Sequence, residues 1–341
     1  MSEEVLFNIV GKSGVITLNR PAALNALTLN MVRLMKPVLA AWARDDAVEH
    51  IIIEGAGEKG FCAGGDIRAL HDWGQAGAPE ATGFYREEYQ LNRTIKTYPK
   101  PYIALIDGIT MGGGVGVSVH GSHRVATERT MFAMPETGIG LLPDVGGTYF
   151  LPRLPGEIGA WLVLTGARLR GADSFIAGVA THYTAADTID ALKAALAEGG
   201  DVDAILAPHH HAPEDAALPP QQGDIDRLFG GDSVADIQAA LEADGSDWAL
   251  KQAAAIASKS PTSAAVALRQ MRDGIHADFD ECLRIEMRAV TRIMAQADFY
   301  EGVRATILEK DGAPNWTPPQ DIDAIFASLG DDELAFEGDL T

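Results

Sequence analysis

The sequence predicts an α/β fold that runs into a mostly helical C-terminal region. Three features carry that reading. Ile51-Ile52-Ile53 and Tyr102-Ile103-Ala104-Leu105-Ile106 are short, continuous apolar runs, the pattern of strands buried on both faces of a helix-covered parallel sheet. Each is followed by a glycine-rich loop and then by a helix start, so residues 1–150 read as repeated strand–loop–helix units. From 246 to 310 the apolar residues recur at helical spacing instead.

Taken in order, Val5–Val10 and Val15–Asn19 are strand-like and flank Gly11-Lys12-Ser13-Gly14, which predicts a hairpin. The Gly-Lys-Ser there is no phosphate loop, because Leu6 stands where a Walker A motif needs glycine. A helix is expected from about Thr28, with Met31, Leu34, Met35, Val38 and Trp42 on one face and Pro37 as a kink. Residues 186–245, rich in Ala, Asp and Gly, read as helices joined by a flexible surface loop that carries His209-His210-His211. Three adjacent imidazoles on a loop rarely close a metal site, and no cysteine lies near them. Ser260-Pro261 is a helix start, with Ser as the cap and Pro in the first turn. Leu283, Met287, Val290 and Met294 form an apolar stripe suited to core packing, and the tail with Asp331-Asp332-Glu333 is expected to fray. The expected division is an α/β core over 1–205 and a helical region over 206–341 that completes the fold.

The chain has 341 residues, 47% of them hydrophobic, enough for a large core. Its net charge of −21 argues against a nucleic-acid surface, which needs clustered Lys and Arg, but leaves room for a phosphorylated small molecule held by a local basic patch. Two cysteines, Cys62 and Cys282, cannot form a disulfide framework and point to a reducing compartment. No apolar run approaches the ~18 residues of a membrane span. The start, Met1-Ser2-Glu3-Glu4-Val5, lacks the basic and apolar regions of a signal peptide. A cytoplasmic location is expected.

Three stretches carry chemistry. Met134 to Gly147 places two carboxylates, Glu136 and Asp144, in apolar, Gly/Pro-broken surroundings with no adjacent Lys or Arg. Burial there would raise their pKa values toward the range useful for acid–base work. Gly60-Phe61-Cys62-Ala63-Gly64-Gly65-Asp66-Ile67 and Gly108-Ile109-Thr110-Met111-Gly112-Gly113-Gly114-Val115-Gly116 follow the two apolar strands and look made to present backbone amides. Two such loops facing each other would make a two-donor oxyanion hole. Neither has the dinucleotide-binding spacing. His120 lies in an apolar stretch and reads as a satisfied core histidine; Cys62 has no motif histidine and reads as a packing residue. Asp66 can cap the helix after its loop.

The ordered motifs Asn19-Arg20-Pro21, Leu24-Asn25-Ala26-Leu27, Phe61 to Asp66, Gly112-Gly113-Gly114, Pro135-Glu136 and Gly146-Gly147-Thr148 resemble the crotonase (enoyl-CoA hydratase/isomerase) superfamily. That resemblance implies a spiral of ββα units with a helical C-terminal region, an acyl-CoA thioester as ligand, no metal, no separate cofactor, and homo-oligomers as the usual assembly. It implies that the N–H groups of Gly65 and Gly113 bind the thioester oxygen, and that Ala63, Asp66 and Ile67 contact the CoA portion. Hydratases of the superfamily carry a catalytic Glu where this chain has Gly116, and Gly where it has Asp144. The stretches around Glu136 and Asp144, Arg86-Glu87-Glu88-Tyr89, Phe299 to Ala305 and Asn315-Trp316 are instead similar to the 3-hydroxyisobutyryl-CoA hydrolase family. On that likeness Glu136 attacks the thioester or deprotonates a water. Asp144 orients the water, protonates the departing thiolate or holds the 3-hydroxyl, and Glu88 contacts substrate. Hydration or isomerisation, or acyl-CoA binding without catalysis, are the alternatives. Many crotonases carry Lys where this chain has Ala22, which leaves Arg20 or Lys310 to meet the CoA phosphates.

Overall fold

The structure, a computed structural model, describes residues 3–336 and 338; Met1 and Ser2, part of the start read above, lie outside them. Ten strands form two sheets. In chain order they are β1 (Val5–Val10), β2 (Ser13–Leu18), β3 (His50–Gly55), β4 (Gly60–Cys62), β5 (Tyr102–Ile106), β6 (Ile109–Met111), β7 (His123–Ala126), β8 (Met131–Ala133), β9 (Leu169–Arg170) and β10 (His182–Tyr183). One sheet has the order β1-β2-β3-β5-β7-β10 and the other β4-β6-β8-β9. The β1–β2 hairpin is antiparallel, and β2, β3, β5, β7 and β10 then pair in parallel. The β3/β4, β5/β6 and β7/β8 pairs each give one strand to each sheet before the chain moves on. This is the spiral of ββα turns.

The apolar runs are continuous because the larger sheet is covered on both faces. Ile51, Ile53, Tyr102, Ala104 and Ile106 point into the main core. Their alternates Ile52, Ile103 and Leu105 pack, with Val15 and Val125, against Leu192, Leu196, Val202 and Leu206. Those leucines lie on the helices Ile189–Ala197 and Val202–Leu206. Residues 189–206 are therefore helical, as expected, and form the outer cover of the sheet. The histidine tract is bound to β10: Tyr183 N–H donates to His210 Nδ1 at 3.1 Å, His211 N–H to Tyr183 O at 3.0 Å, and the Thr184 hydroxyl to His209 O at 2.8 Å.

Helix α1 (Leu29–Ala43) starts at Thr28, whose hydroxyl accepts from Met31 N–H, and it continues through Pro37. Its buried side is Met31, Val32, Met35, Leu39 and Trp42, while Leu34 is exposed, so the stripe is turned from the one read in the sequence. Helix α2 (Ile67–Gln75) and helix α3 (Glu80–Lys96) follow the first glycine loop. The stripe Leu283, Met287, Val290 and Met294 is buried, as expected of core packing. The tail does not fray at its acidic run: Arg288 pairs with Glu333, and Arg86 donates to Asp332 O. No helix among the described residues is long and apolar enough to cross a membrane.

Candidate active site

Three loops leave the C-terminal ends of β4, β6 and β8 and close around a cavity of about 460 Å³. The crevice outside the carboxyl ends of parallel strands is where α/β folds bind ligands.

The first loop is shaped by the Leu24–Leu27 motif. Asn25, itself at φ 57°, accepts from Arg20 N–H and donates to Ala56 O and Gly60 O, each at 2.9 Å. Leu27 N–H donates to Gly64 O and Asp66 N–H to Leu27 O, both at 2.8 Å. Gly65 N–H, between them, meets no acceptor among the described residues. In the second loop Gly112 takes φ 47°, a region that favours glycine, and turns the chain into the four-residue helix α4 (Gly113–Gly116). Gly113 N–H also meets no acceptor among the described residues. The loops abut. A Cβ built on Gly64 would stand 3.8 Å from Gly113 N, and one built on Gly113 would stand 3.3 Å from Gly65 N. Both amides thus border one opening of the same cavity.

Glu136 begins a 3-10 turn (Glu136–Ile139) and is only 6% exposed. Its Oε1 lies 3.3 Å from where a Gly112 Cβ would stand, beside the amide pair, and its Oε2 has no partner among the described residues. Asp144, 4% exposed, accepts from the Tyr89 hydroxyl at 2.9 Å. Its turn is strained, for Val145 stands at φ 54°, where a β-branched residue is an outlier. Distant elements hold it there. His120 Nε2 donates to Val145 O at 2.7 Å. From the helix Phe279–Ile293, Glu286 accepts from Gly146 N–H and Thr148 N–H, each at 2.8 Å. From the helix Pro261–Gly274, Gln270 donates to Pro143 O at 3.0 Å and Thr148 Oγ1 at 2.8 Å. Glu88 enters from α3, fully buried, with Oε1 unpartnered among the described residues and 2.6 Å from a Cβ built on Gly113.

Burial dominates the electrostatics. It lifts Glu88 and Glu136 well above the ordinary carboxylate range, and the neighbouring Asp144 charge lifts both further. Asp144 is pushed up to about 7 by burial, against the pull of the Tyr89 hydroxyl. Glu286 is pushed up to about 8 by burial and then by Asp144, partly offset by its two amide donors. Near neutral pH Glu136 and Asp144 together therefore keep a proton, which gives the cavity an acid and a base at once. His120 is pushed down to about 3 by burial, so it is a neutral donor, and the Cys62 thiol is pushed up to about 12, too high for a nucleophile.

Of the residues singled out in the sequence, Glu136, Asp144, Gly65, Gly113, Glu88, Ala63 and Ile67 all line this cavity. Asp66 does not. Its side chain caps α2 by accepting from Ala69 N–H and pairs with Arg20 at 3.0 Å, and it is not among the lining residues. Arg20 is spent on Asp66, Glu4 and Ala26 O, and Lys310 is not among the lining residues, so neither expected phosphate contact stands at the cavity. Sequence reasoning missed Tyr89, Glu286 and Gln270, which hold Asp144, and Lys259 and Arg168, which line the cavity.

The family described as enoyl-CoA hydratase/isomerase matches residues 13–326. The mitochondrial 3-hydroxyisobutyryl-CoA hydrolase of Danio rerio is 51% identical, over 97% of this chain and 91% of its own length. That of Homo sapiens is 45% identical, over 98% and 91%. A solved structure described as a carnitinyl-CoA dehydratase from Mycobacterium thermoresistibile superimposes with a TM-score of 0.94 at 44% identity, covering 99% of this chain and all of that one (100%). One described as an enoyl-CoA hydratase from Rhodobacter sphaeroides 2.4.1 gives 0.91 at 42% identity, covering 98% and 100%. The hydrolase relatives are named mitochondrial, so they lend no support to the cytoplasmic placement. With the spiral, the paired glycine loops and matches over nearly its whole length, the chain belongs to the enoyl-CoA hydratase/isomerase family.

Proposed function

We propose that the chain is a thioesterase that hydrolyses 3-hydroxyisobutyryl-CoA to 3-hydroxyisobutyrate and CoA, a step of valine breakdown. The observation that carries this reading is the placement of its carboxylates. A Cβ at Gly116 would stand 2.7 Å from both Asn92 Nδ2 and Val145 Cβ, so the position has no room for the second glutamate of a hydratase. The second carboxylate comes instead from Asp144, on a turn held by three other elements. The hydrolase relatives, alike over nearly the full chain, support the same substrate.

In this reading the thioester oxygen sits between Gly65 N–H and Gly113 N–H, each donor contributing on the order of 3 kcal/mol to the developing oxyanion. The proton that the pair shares rests on Glu136 before the ligand enters, and in the reactive form it has moved to Asp144; Glu136, then a carboxylate, adds to the carbonyl carbon or takes a proton from a water that does so. The tetrahedral carbon then expels sulfur as the C–S bond breaks, and protonated Asp144 gives its proton to the thiolate. If Glu136 itself attacks, the resulting anhydride is opened by a water whose proton Asp144, now a carboxylate, accepts. Glu88, neutral by burial, donates to the 3-hydroxyl of the acyl group. The two unpaired, buried cysteines suit a reducing compartment, the mitochondrial matrix as well as the cytoplasm.

The two solved relatives described as a dehydratase and a hydratase favour a second reading, water addition to an enoyl-CoA. The test of the first is thiol release from 3-hydroxyisobutyryl-CoA and from isobutyryl-CoA, which lacks the hydroxyl. We expect rapid release from the hydroxylated ester and a kcat/KM at least ~10-fold lower for the other, since Glu88 then loses its buried partner. No release from either ester would end the hydrolase reading.

A further inference from the structure

The face of α3 that carries Glu88 and Tyr89 also carries Tyr85, one turn earlier. Tyr85 is buried, yet it lines the cavity. Its ring is held edge-on between Phe84 and Tyr89, with centroids 5.5 and 6.1 Å away. The phenolic O–H donates to Met294 Sδ at 3.8 Å. That residue is itself fixed. Met294 N–H donates to Val290 O at 2.9 Å, and Met294 O accepts from the Tyr300 hydroxyl at 2.8 Å. A thioether is a weak acceptor with nothing to donate, so the phenol oxygen keeps its own lone pairs. Burial, and then the charges of Asp144, Glu88 and Glu136, push the Tyr85 pKa well above its ordinary value, so the phenol stays neutral. A 3-hydroxyl that accepts from Glu88 still has its own proton to place. Asp144 already accepts from Tyr89, and Glu136 stands beside the amide pair. Thr306, the other neutral hydroxyl of the lining, is exposed. The Tyr85 oxygen is the buried acceptor that the thioester chemistry does not use.

We propose that Tyr85 is a specificity residue whose phenol oxygen accepts the proton of the acyl group's 3-hydroxyl, holding it between Glu88 as donor and Tyr85 as acceptor. The assignment rests on the hydrolase reading above. Hydrogen bonds then run one way, from Glu88 to the substrate hydroxyl, on to Tyr85, and from Tyr85 to Met294 Sδ. Each buried O–H has an acceptor. An acyl group without the hydroxyl leaves Glu88 and Tyr85 facing a methyl group. A site built to pair a hydroxyl rejects the analogue that lacks it, because its own buried polar groups are then unpaired.

The test is Tyr85→Phe, which removes one oxygen and keeps the ring and its packing. Thiol release is measured for wild type and variant with 3-hydroxyisobutyryl-CoA and with isobutyryl-CoA. The variant is expected to lose at least ~10-fold in kcat/KM on the hydroxylated ester and to stay within ~2-fold on the other, so the preference falls by about the same factor. A general loss of packing or of catalysis would lower both esters alike. A second readout needs no turnover. Both esters are titrated calorimetrically into Glu136→Gln and into Glu136→Gln/Tyr85→Phe. The added substitution should weaken the hydroxylated ester ~10-fold and leave the other within ~2-fold. Equal loss on the two esters, or no loss on the hydroxylated one, would overturn the assignment. Failure of the hydrolase reading would appear separately, as a wild type that releases no thiol from either ester, and the binding pair would still show whether Tyr85 senses the hydroxyl.

Discussion

Glu136 lies beside the amide pair with one oxygen unpartnered, so its replacement by Gln removes nucleophile and base while keeping the shape. Glu136→Gln should lower kcat for thiol release at least ~100-fold and leave CoA-ester binding within a few-fold. Half-normal turnover would exclude Glu136 from the chemistry. The buried acids also set a pH dependence of stability. Asp144 and Glu286 ionise near 7 and 8 in the fold but at ordinary carboxylate values when unfolded, so between about pH 7 and 8 the folded chain binds more protons. Stability should therefore fall as pH rises through that window. His120, His50 and His182, whose depressed pKa values work in the opposite direction, are only about a quarter protonated in the unfolded chain at pH 7 and offset the fall less and less above it. A melting temperature measured from pH 7 to 8.5 tests this. Asp144→Asn should flatten the slope, and an unchanged slope would show that Asp144 does not hold its proton.

Among the elements, the 143–148 turn is where local sequence and tertiary structure part. Val145 at φ 54° stays there because His120, Gln270 and Glu286 over-determine the turn. Glu286→Gln keeps the volume but sets an amide NH2 against one of the two backbone N–H groups. The turn should relax and kcat fall about 10- to 100-fold with KM little changed, since the misplacement is of the catalytic carboxyl. If KM rises and kcat holds, the clamp serves binding instead. Gly113→Ala tests the amide pair in the same way. Its Cβ would stand 2.6 Å from Glu88 Oε1 and 3.3 Å from Gly65 N, so it should fill the oxyanion space and abolish most turnover while the sheets stay intact. Full activity would move the oxyanion site elsewhere. The glycine loops and the Glu136–Asp144 pair were legible because their chemistry is local: glycine where backbone must approach, carboxylates without adjacent cations. Glu286, Gln270 and Tyr89 act on residues 140, 122 to 127 and 55 positions away, and contacts of that range leave no periodicity or spacing to read. Asp66 was legible as the cap of α2; its expected ligand contact has no counterpart among the lining residues, since a capping aspartate beside a ligand loop looks the same in sequence as a ligand-binding one.

Across the whole molecule the spiral explains why so much function sits in so little sequence. Each turn gives one strand to each sheet, so equivalent loops after β4, β6 and β8 stack at one edge and pool their amides and carboxylates. The helical C-terminal part then supplies the residues that fix them and the Lys259 rim. The strand runs and the Ser260 helix start were visible, because both-face burial and caps are written locally. The helices of residues 189–206 were expected, but their place as the cover of the larger sheet was not legible, because the few leucines that are fully buried there show nothing in sequence of what they pack against. The central claim is that this arrangement splits a thioester and does not hydrate a double bond. Wild-type enzyme should be given 3-hydroxyisobutyryl-CoA and crotonyl-CoA in parallel, with thiol release and loss of enoyl-thioester absorbance followed together. Rapid thiol release with little enoyl loss is the predicted result, and Asp144→Gly should lose the first without gaining the second because Gly116 is unchanged. Fast crotonyl-CoA hydration with no thiol release would contradict the account.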